Sequence, residues 1–284
     1  MKLRPFRVVL AATAAVGVAA SGLAACFDWS TPAVSVDGGT PDTSTVDTGV
    51  LPDAGDGDAL PSCGPPSTPP GVASLHLTLD ELASLATPVA GSGVAYLTTA
   101  TETNFAPGVC RDALRFEAGV YLSYPEVPQA EGGEAGIPNI NYAEGTIMFW
   151  YLPEYAAGDV APHVLIQTAG GSGAGRVRIT SRQNYGGLDF ECFNGFGRST
   201  IGLAPRRWVH IALTWKDGVP PRLFLNGVLD TTPLTIDAAV VPAPVPAAVR
   251  RIAVGNITNQ DAAAAGFPAD GLVDDLRIFP VAIP

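Results

Sequence analysis

The stretch Trp208–Gly227, WVHIALTWKDGVPPRLFLNG, decides the architecture of this chain. Successive side chains of a strand point to opposite faces. In WVHIALTW this puts Val209, Ile211, Leu213 and Trp215 on one face, and Trp208, His210, Ala212 and Thr214 on the other. The first set is an apolar stripe suited to a core. Asn226-Gly227 interrupts LFL and VLD, and both residues tolerate positive φ, so the pair signals a tight turn that closes a hairpin. The Asn-Gly pair is thus accounted for by turn geometry, without any chemistry.

Outward from this hairpin, short alternating runs separated by Gly, Pro, Asn and Asp recur, and no window holds a helical period. Strands are expected over 73–79, 113–116, 120–124, 146–152, 163–168, 176–181, 188–193, 208–215, 222–225, 251–255 and 272–279. Only 81–86 fits a short helical turn, and no internal repeat is visible. The pattern predicts an all-β sandwich.

Several strings carry a family likeness: ALRFEAGVYLSYP (113–125), EGTIMFWYLP (144–153), WVHIALTWKDG (208–218), PRLFLNGVLD (221–230), RIAVGN (251–256) and DGLVDDLRIF (270–279). In this order they resemble the laminin-G-like, or concanavalin-A-like, jelly roll over most of 75–283. The resemblance implies a sandwich of two curved antiparallel sheets. It also implies an extracellular role in binding glycans, proteins or calcium, or in spacing other modules.

The N-terminus places Lys2, Arg4 and Arg7 before the apolar, Ala-rich run 8–25, which is short for a membrane span and reads as a secretory signal. Leu23-Ala24-Ala25-Cys26 resembles the bacterial lipobox, which implies cleavage before Cys26 and lipidation of its thiol. From Phe27 to about Pro70 the chain is rich in Pro, Gly, Ser, Thr and Asp and has no basic residue. Such a segment buries too little apolar surface to offset its ordering entropy, so it is expected as a disordered acidic stalk. The expected organisation is a lipoprotein signal over 1–25, a lipidated stalk over 26–70 and one jelly roll over 71–284. The chain's net charge of −11 argues against nucleic acid as a partner.

Besides Cys26, three cysteines remain in a compartment that permits disulfides. Cys192 shares a strand face with Leu188 and Phe190 in GGLDFECF and reads as a buried thiol. That leaves Cys63 to pair with Cys110 and tie the end of the stalk to the domain.

Catalysis is the main competitor to binding, because glycoside hydrolases also use this sandwich. Asp189 and Glu191 stand at i and i+2, about 7 Å apart, near the carboxylate spacing of glycosidases. The laminarinase-like pattern Glu-x-Asp-x-x-Glu, however, meets Asn194 where its third acid belongs. Asp189 and Glu191 are therefore expected on a solvated outer face. Glu131 and Glu134 lie in the flexible-looking AEGGEAG. His76, His163 and His210 occupy separate strands, His210 being expected half-exposed, and no Gly-x-Ser-x-Gly elbow occurs.

A metal has a better case. Strict alternation puts Asp274 on one face with Leu272, Leu276 and Ile278, and a carboxylate there must find a partner. The resemblance implies calcium, held by hard oxygens of Asp274 and of Asp80 at the end of the first strand. The plainer alternative is a bond from Asp274 to backbone, Arg277 or Arg251. For sugars, the aromatic candidates are Tyr151, Tyr155, Tyr185, Phe193, Phe196 and Trp208, with Asn194 as an amide partner. Tyr185 and Phe196 stand out because each sits among Gly and Asn in a turn, whereas Trp150 and Trp215 read as core.

Together these features lead to the expectation of a non-enzymatic, lipid-anchored bacterial envelope protein on the outer membrane, its domain facing the periplasm or the exterior. That domain is expected to bind a glycan or an extracellular protein. A degenerate polysaccharide hydrolase and a purely structural module are the alternatives.

Overall fold

The computed structural model describes Cys63 and residues 71–92, 96–126, 138–156, 159–168, 177–182, 187–192, 195–199, 201–231, 250–256 and 267–283. All of these residues belong to the unit Val46–Pro284. The expected signal, Cys26 and all of the stalk except Cys63 lie outside the described residues.

Fifteen strands are described: β1 (Leu75–Leu77), β2 (Leu97–Thr98), β3 (Phe105–Pro107), β4 (Asp112–Phe116), β5 (Leu122–Pro125), β6 (Glu144–Pro153), β7 (Pro162–Gln167), β8 (Val177–Arg182), β9 (Gly187–Cys192), β10 (Gly195–Arg198), β11 (Val209–Lys216), β12 (Val219–Leu225), β13 (Val228–Leu229), β14 (Arg251–Val254) and β15 (Gly271–Phe279). Among the described residues the one short helix, α1, spans Leu82–Ala86 within the expected 81–86, and a 3-10 turn covers Glu102–Asn104. None of the described helices is long and apolar enough to cross a membrane.

The strands form two antiparallel sheets. An eight-stranded sheet runs β13-β12-β11-β6-β15-β4-β3, with β1 also on β15, and a seven-stranded sheet runs β10-β9-β8-β7-β14-β5-β2. Chain neighbours such as β6 and β7 lie in different sheets, as a jelly roll requires. The core between the sheets is where the alternating stripes lead. Val209, Ile211, Leu213 and Trp215 all enter it, with Ile211 opposite Phe149 and Leu213 opposite Ile147 on β6. Each large aliphatic or aromatic side chain buried this way stabilises the sandwich by about 1.5–3 kcal/mol. Asn226 (φ 49°) and Gly227 (φ 78°) make the left-handed turn expected between β12 and β13.

Four strands escape a reading by alternation: β2, β3, β10 and β13 have two to four residues, too few to display a period. β10, GFGR, is also half glycine. A Cβ at Gly197 would overlap the Phe190 ring on the neighbouring β9, so close packing rather than propensity places that residue.

The strict alternation expected along β15 fails. Asp274 opposes Trp150 and Arg277 opposes Met148, so three steps on β15 face two on β6, a β-bulge. Asp275 sits within it at φ 50°. Val273, Leu276 and Ile278 face the core, while Leu272 and Asp274 belong to the other side. Asp274 therefore does not share a face with Leu276 and Ile278. Trp150 is likewise buried, but on this outer side: it meets His210 edge-to-face, with ring centroids 5.1 Å apart.

Candidate functional site

The bulge sits at a gap in the sheet. β4 pairs with β15 only through Gly271–Val273 and β1 only through Leu276–Ile278, leaving Asp274 and Asp275 unpaired on that edge. The turn between β3 and β4 fills the gap. Asp274 Oδ2 accepts the amide hydrogens of Val109 (2.7 Å) and Cys110 (2.8 Å), and Gly108 has no Cβ to block this approach. Cys110 is joined by a disulfide to Cys63, and Cys192 is a free, buried thiol whose pKa burial pushes well up.

Asp275 is fully partnered. His76 Nε2 lies 2.8 Å from its Oδ1, and Arg277 reaches it through Nε (2.9 Å) and Nη2 (2.8 Å). Burial acts to raise its pKa, but the His76 and Arg277 hydrogen bonds and the Arg277 charge outweigh that and hold it below the usual range. Asp274 differs. Burial pushes its carboxyl up to about 6; the Cys110 and Val109 amides oppose the rise, and the charges of Asp275 and Asp80 add to it. Its Oδ1 is buried without a hydrogen-bond partner, and so is Oδ1 of Asp80. Asp80 is also raised, first by burial, against a Thr78 hydrogen bond and the Arg111 charge. The fold therefore brings Asp80 and Asp274 into one electrostatic cluster and leaves each with an unsatisfied oxygen. The plainer alternative for Asp274, a bond to backbone, is present through its second oxygen. Two buried, unpaired carboxylate oxygens suit a hard cation, with backbone carbonyls or water supplying the rest of its shell.

His210 faces the same side and is buried, not half-exposed. Burial lowers its pKa to about 4; the Asp275 charge opposes the fall and the Arg277 charge adds to it.

The seven-stranded sheet treats its acids as Asp275 is treated, and unlike Asp274. Asp189 lies between Arg182 (3.0 Å) and Arg198 (2.8 Å), and Glu191 pairs with Arg178 directly across β8 and β9. The expected solvated face is a ladder of ion pairs, and Asp189 is only 5% exposed. Leu188, Phe190 and Cys192 do point into the core.

Of the sugar-binding candidates, Tyr185, Phe193 and Asn194 lie outside the described residues. Phe196 sits in β10 opposite Glu191 in register. Trp208 is partly buried just before β11. Tyr151 and Tyr155 are core residues, their hydroxyls bonded to Ala269 O and to Ser181, so neither offers a ring to a ligand. Glu131 and Glu134 lie outside the described residues. One grouping escaped the sequence reading: His163, taken as isolated in its strand, stands beside Asp159 and Asp270. Only the Asp159-x-x-x-His163 spacing hinted at it; Asp270 is more than a hundred residues away.

With this geometry in hand, the comparisons place the chain. The sequence profile described as the concanavalin A-like lectin/glucanases superfamily matches residues 131–284, more than half of the chain. The chain belongs to that superfamily. No curated protein matches it in sequence. Among solved structures it is similar to the receptor-binding domain of botulinum neurotoxin D, with 12% identity and TM-score 0.49 over 75% of this chain and 50% of that one. It is similar also to the type G receptor-binding domain, with 13% identity and TM-score 0.47 over 75% of this chain and 49% of that one. A third is a candidate carbohydrate-binding protein of Bacteroides ovatus, with 17% identity and TM-score 0.41 over 61% of this chain and 44% of that one. The chain spans about half the length of these structures or less.

Proposed function

We propose that this superfamily member is a non-enzymatic binding module for a glycan or an extracellular protein, displayed on the bacterial envelope by a lipid on Cys26 and an acidic stalk. The observation that supports binding over hydrolysis is the arginine ladder. A general acid or nucleophile must be free to exchange a proton or attack, whereas Asp189 and Glu191 are each engaged by guanidinium groups. Calcium held by Asp80 and Asp274 is part of the same reading, supported by their two unpaired buried oxygens.

The mature protein on a glycan array tests the ligand: binding is expected, and is expected to be lost in Tyr185→Ala or Phe196→Ala with folding unchanged. Reducing-sugar release that disappears in Glu191→Gln would replace this reading with hydrolysis. For calcium, the thermal midpoint is expected to rise with Ca2+ and fall with chelator, and an unchanged midpoint would remove the ion from the proposal.

A further inference from the structure

At one rim of the sandwich, three potential ligand atoms from Asp159, His163 and Asp270 lie within 4.8 Å of one another. His163 opens the seven-stranded sheet's β7, Asp270 immediately precedes the eight-stranded sheet's β15, and Asp159 belongs to the connection between β6 and β7. The imidazole is fixed in one tautomer. Its Nδ1 lies 3.0 Å from the carbonyl oxygen of Pro268, which can only accept, so in the neutral ring Nδ1 carries the hydrogen and Nε2 presents a lone pair. The Tyr155 ring stacks on it at 4.4 Å, and the His163 side chain is 4% exposed. Nε2 is buried, makes no hydrogen bond, and points to Asp159 Oδ2 at 3.6 Å.

A buried nitrogen lone pair aimed at carboxylates has nothing to accept from, while its ring is held from behind by a backbone carbonyl. This is how metal-ligating histidines are oriented. We propose that Asp159, His163 and Asp270 bind a divalent cation of the zinc type, which joins the two sheets at this rim and keeps its remaining position for water or a ligand oxygen. One imidazole with two carboxylates favours a first-row transition cation over calcium. With metal–ligand bonds of about 2.0–2.2 Å, tetrahedral neighbours sit roughly 3.3–3.6 Å apart. The 3.6 Å between Nε2 and Asp159 Oδ2 is close to that without rearrangement. Asp270 holds φ 48°, a left-handed conformation that Asp, like Asn, adopts more readily than most residues. The site is separate from the Asp80–Asp274 cluster and does not depend on calcium there.

The test uses the purified, metal-stripped full chain. Zinc is titrated by competition against cobalt, whose visible absorption reports tetrahedral nitrogen and oxygen ligation. Saturable binding is expected, with a rise in thermal midpoint of about 5–10 °C at zinc a hundredfold above its Kd. Because His163→Gln alters a buried residue, Asp159→Asn is the second variant: Asn keeps an oxygen for the Ala161 amide hydrogen that Asp159 Oδ1 now accepts. Both variants, and Asp270→Asn, are expected to weaken zinc at least about tenfold. Absence of saturable zinc binding overturns the proposal. So does zinc binding that Asp159→Asn and Asp270→Asn leave unchanged.

Discussion

The two sheets carry acids on their outer sides and treat them differently. On the seven-stranded sheet Asp189 and Glu191 meet Arg182, Arg198 and Arg178 across regular ladders, and every charge is answered within the sheet. On the eight-stranded sheet a bulge turns Asp274 outward beneath the β3–β4 turn, where it receives two backbone amides on one oxygen and nothing on the other. An acid near arginines is structural; an acid buried without them stores unfavourable energy that only a proton or a cation relieves. The difference lies in the supply of partners, not in the number of acids.

The largest expected effect loosens the β3–β4 turn that covers Asp274. Cys63→Ser opens a disulfide spanning 47 residues and is expected to cost about 4 kcal/mol on the loop-entropy estimate, seen as a lower denaturation midpoint. An unchanged midpoint would detach the cover from the stability of the eight-stranded side.

Next, the same chemical change should have opposite signs on the two sheets. Asp274→Asn removes a carboxylate whose pKa burial has raised to about 6 while keeping an acceptor for the Val109 and Cys110 amides, so without metal it should gain about 2 kcal/mol at pH 7. Asp189→Asn should lose about 1 kcal/mol, because it leaves two arginines short of a partner. Chemical denaturation of both variants reads this; a loss in both would erase the comparison.

The pH dependence sharpens it further. Asp274, raised to about 6, favours the folded state fully below about pH 4 and loses that contribution as pH rises through 6. His210, lowered to about 4, contributes fully above pH 6.5 and loses it as pH falls through 4. Between pH 4 and 6 the two oppose, so the wild-type midpoint should be nearly flat. Asp274→Asn should unmask the histidine, and its stability should fall by up to about 3 kcal/mol on acidification from pH 6.5 to 4. A flat variant profile would contradict the burial of His210.

The smallest effect concerns chemistry: Glu191→Gln should shift stability by about 1 kcal/mol or less and leave any ligand binding intact, since Arg178 already neutralises that carboxylate. Binding curves of the variant check this.

The alternation in WVHIALTW sorted Val209, Ile211, Leu213 and Trp215 into the core because the period of a strand is local. The same rule misplaced Asp274 relative to Leu276, because a bulge shifts the period and is set by the partner strand. It misjudged His210, whose burial depends on what packs over that side of the sheet and not on its own strand. It missed His163 as a ligand because Asp270 and Pro268 reach it from the other end of the domain.

By itself, then, the sequence determined that this chain forms two sheets, which stripes face inward wherever no bulge intervenes, and where the tight Asn226-Gly227 turn falls. These depend on residue-by-residue geometry and propensity. Only the tertiary structure decided which acids meet arginines, which are left with an orphaned oxygen, and which histidine nitrogen faces carboxylates. Those outcomes rest on register and burial, which belong to pairs of strands remote in the chain and not to any one of them.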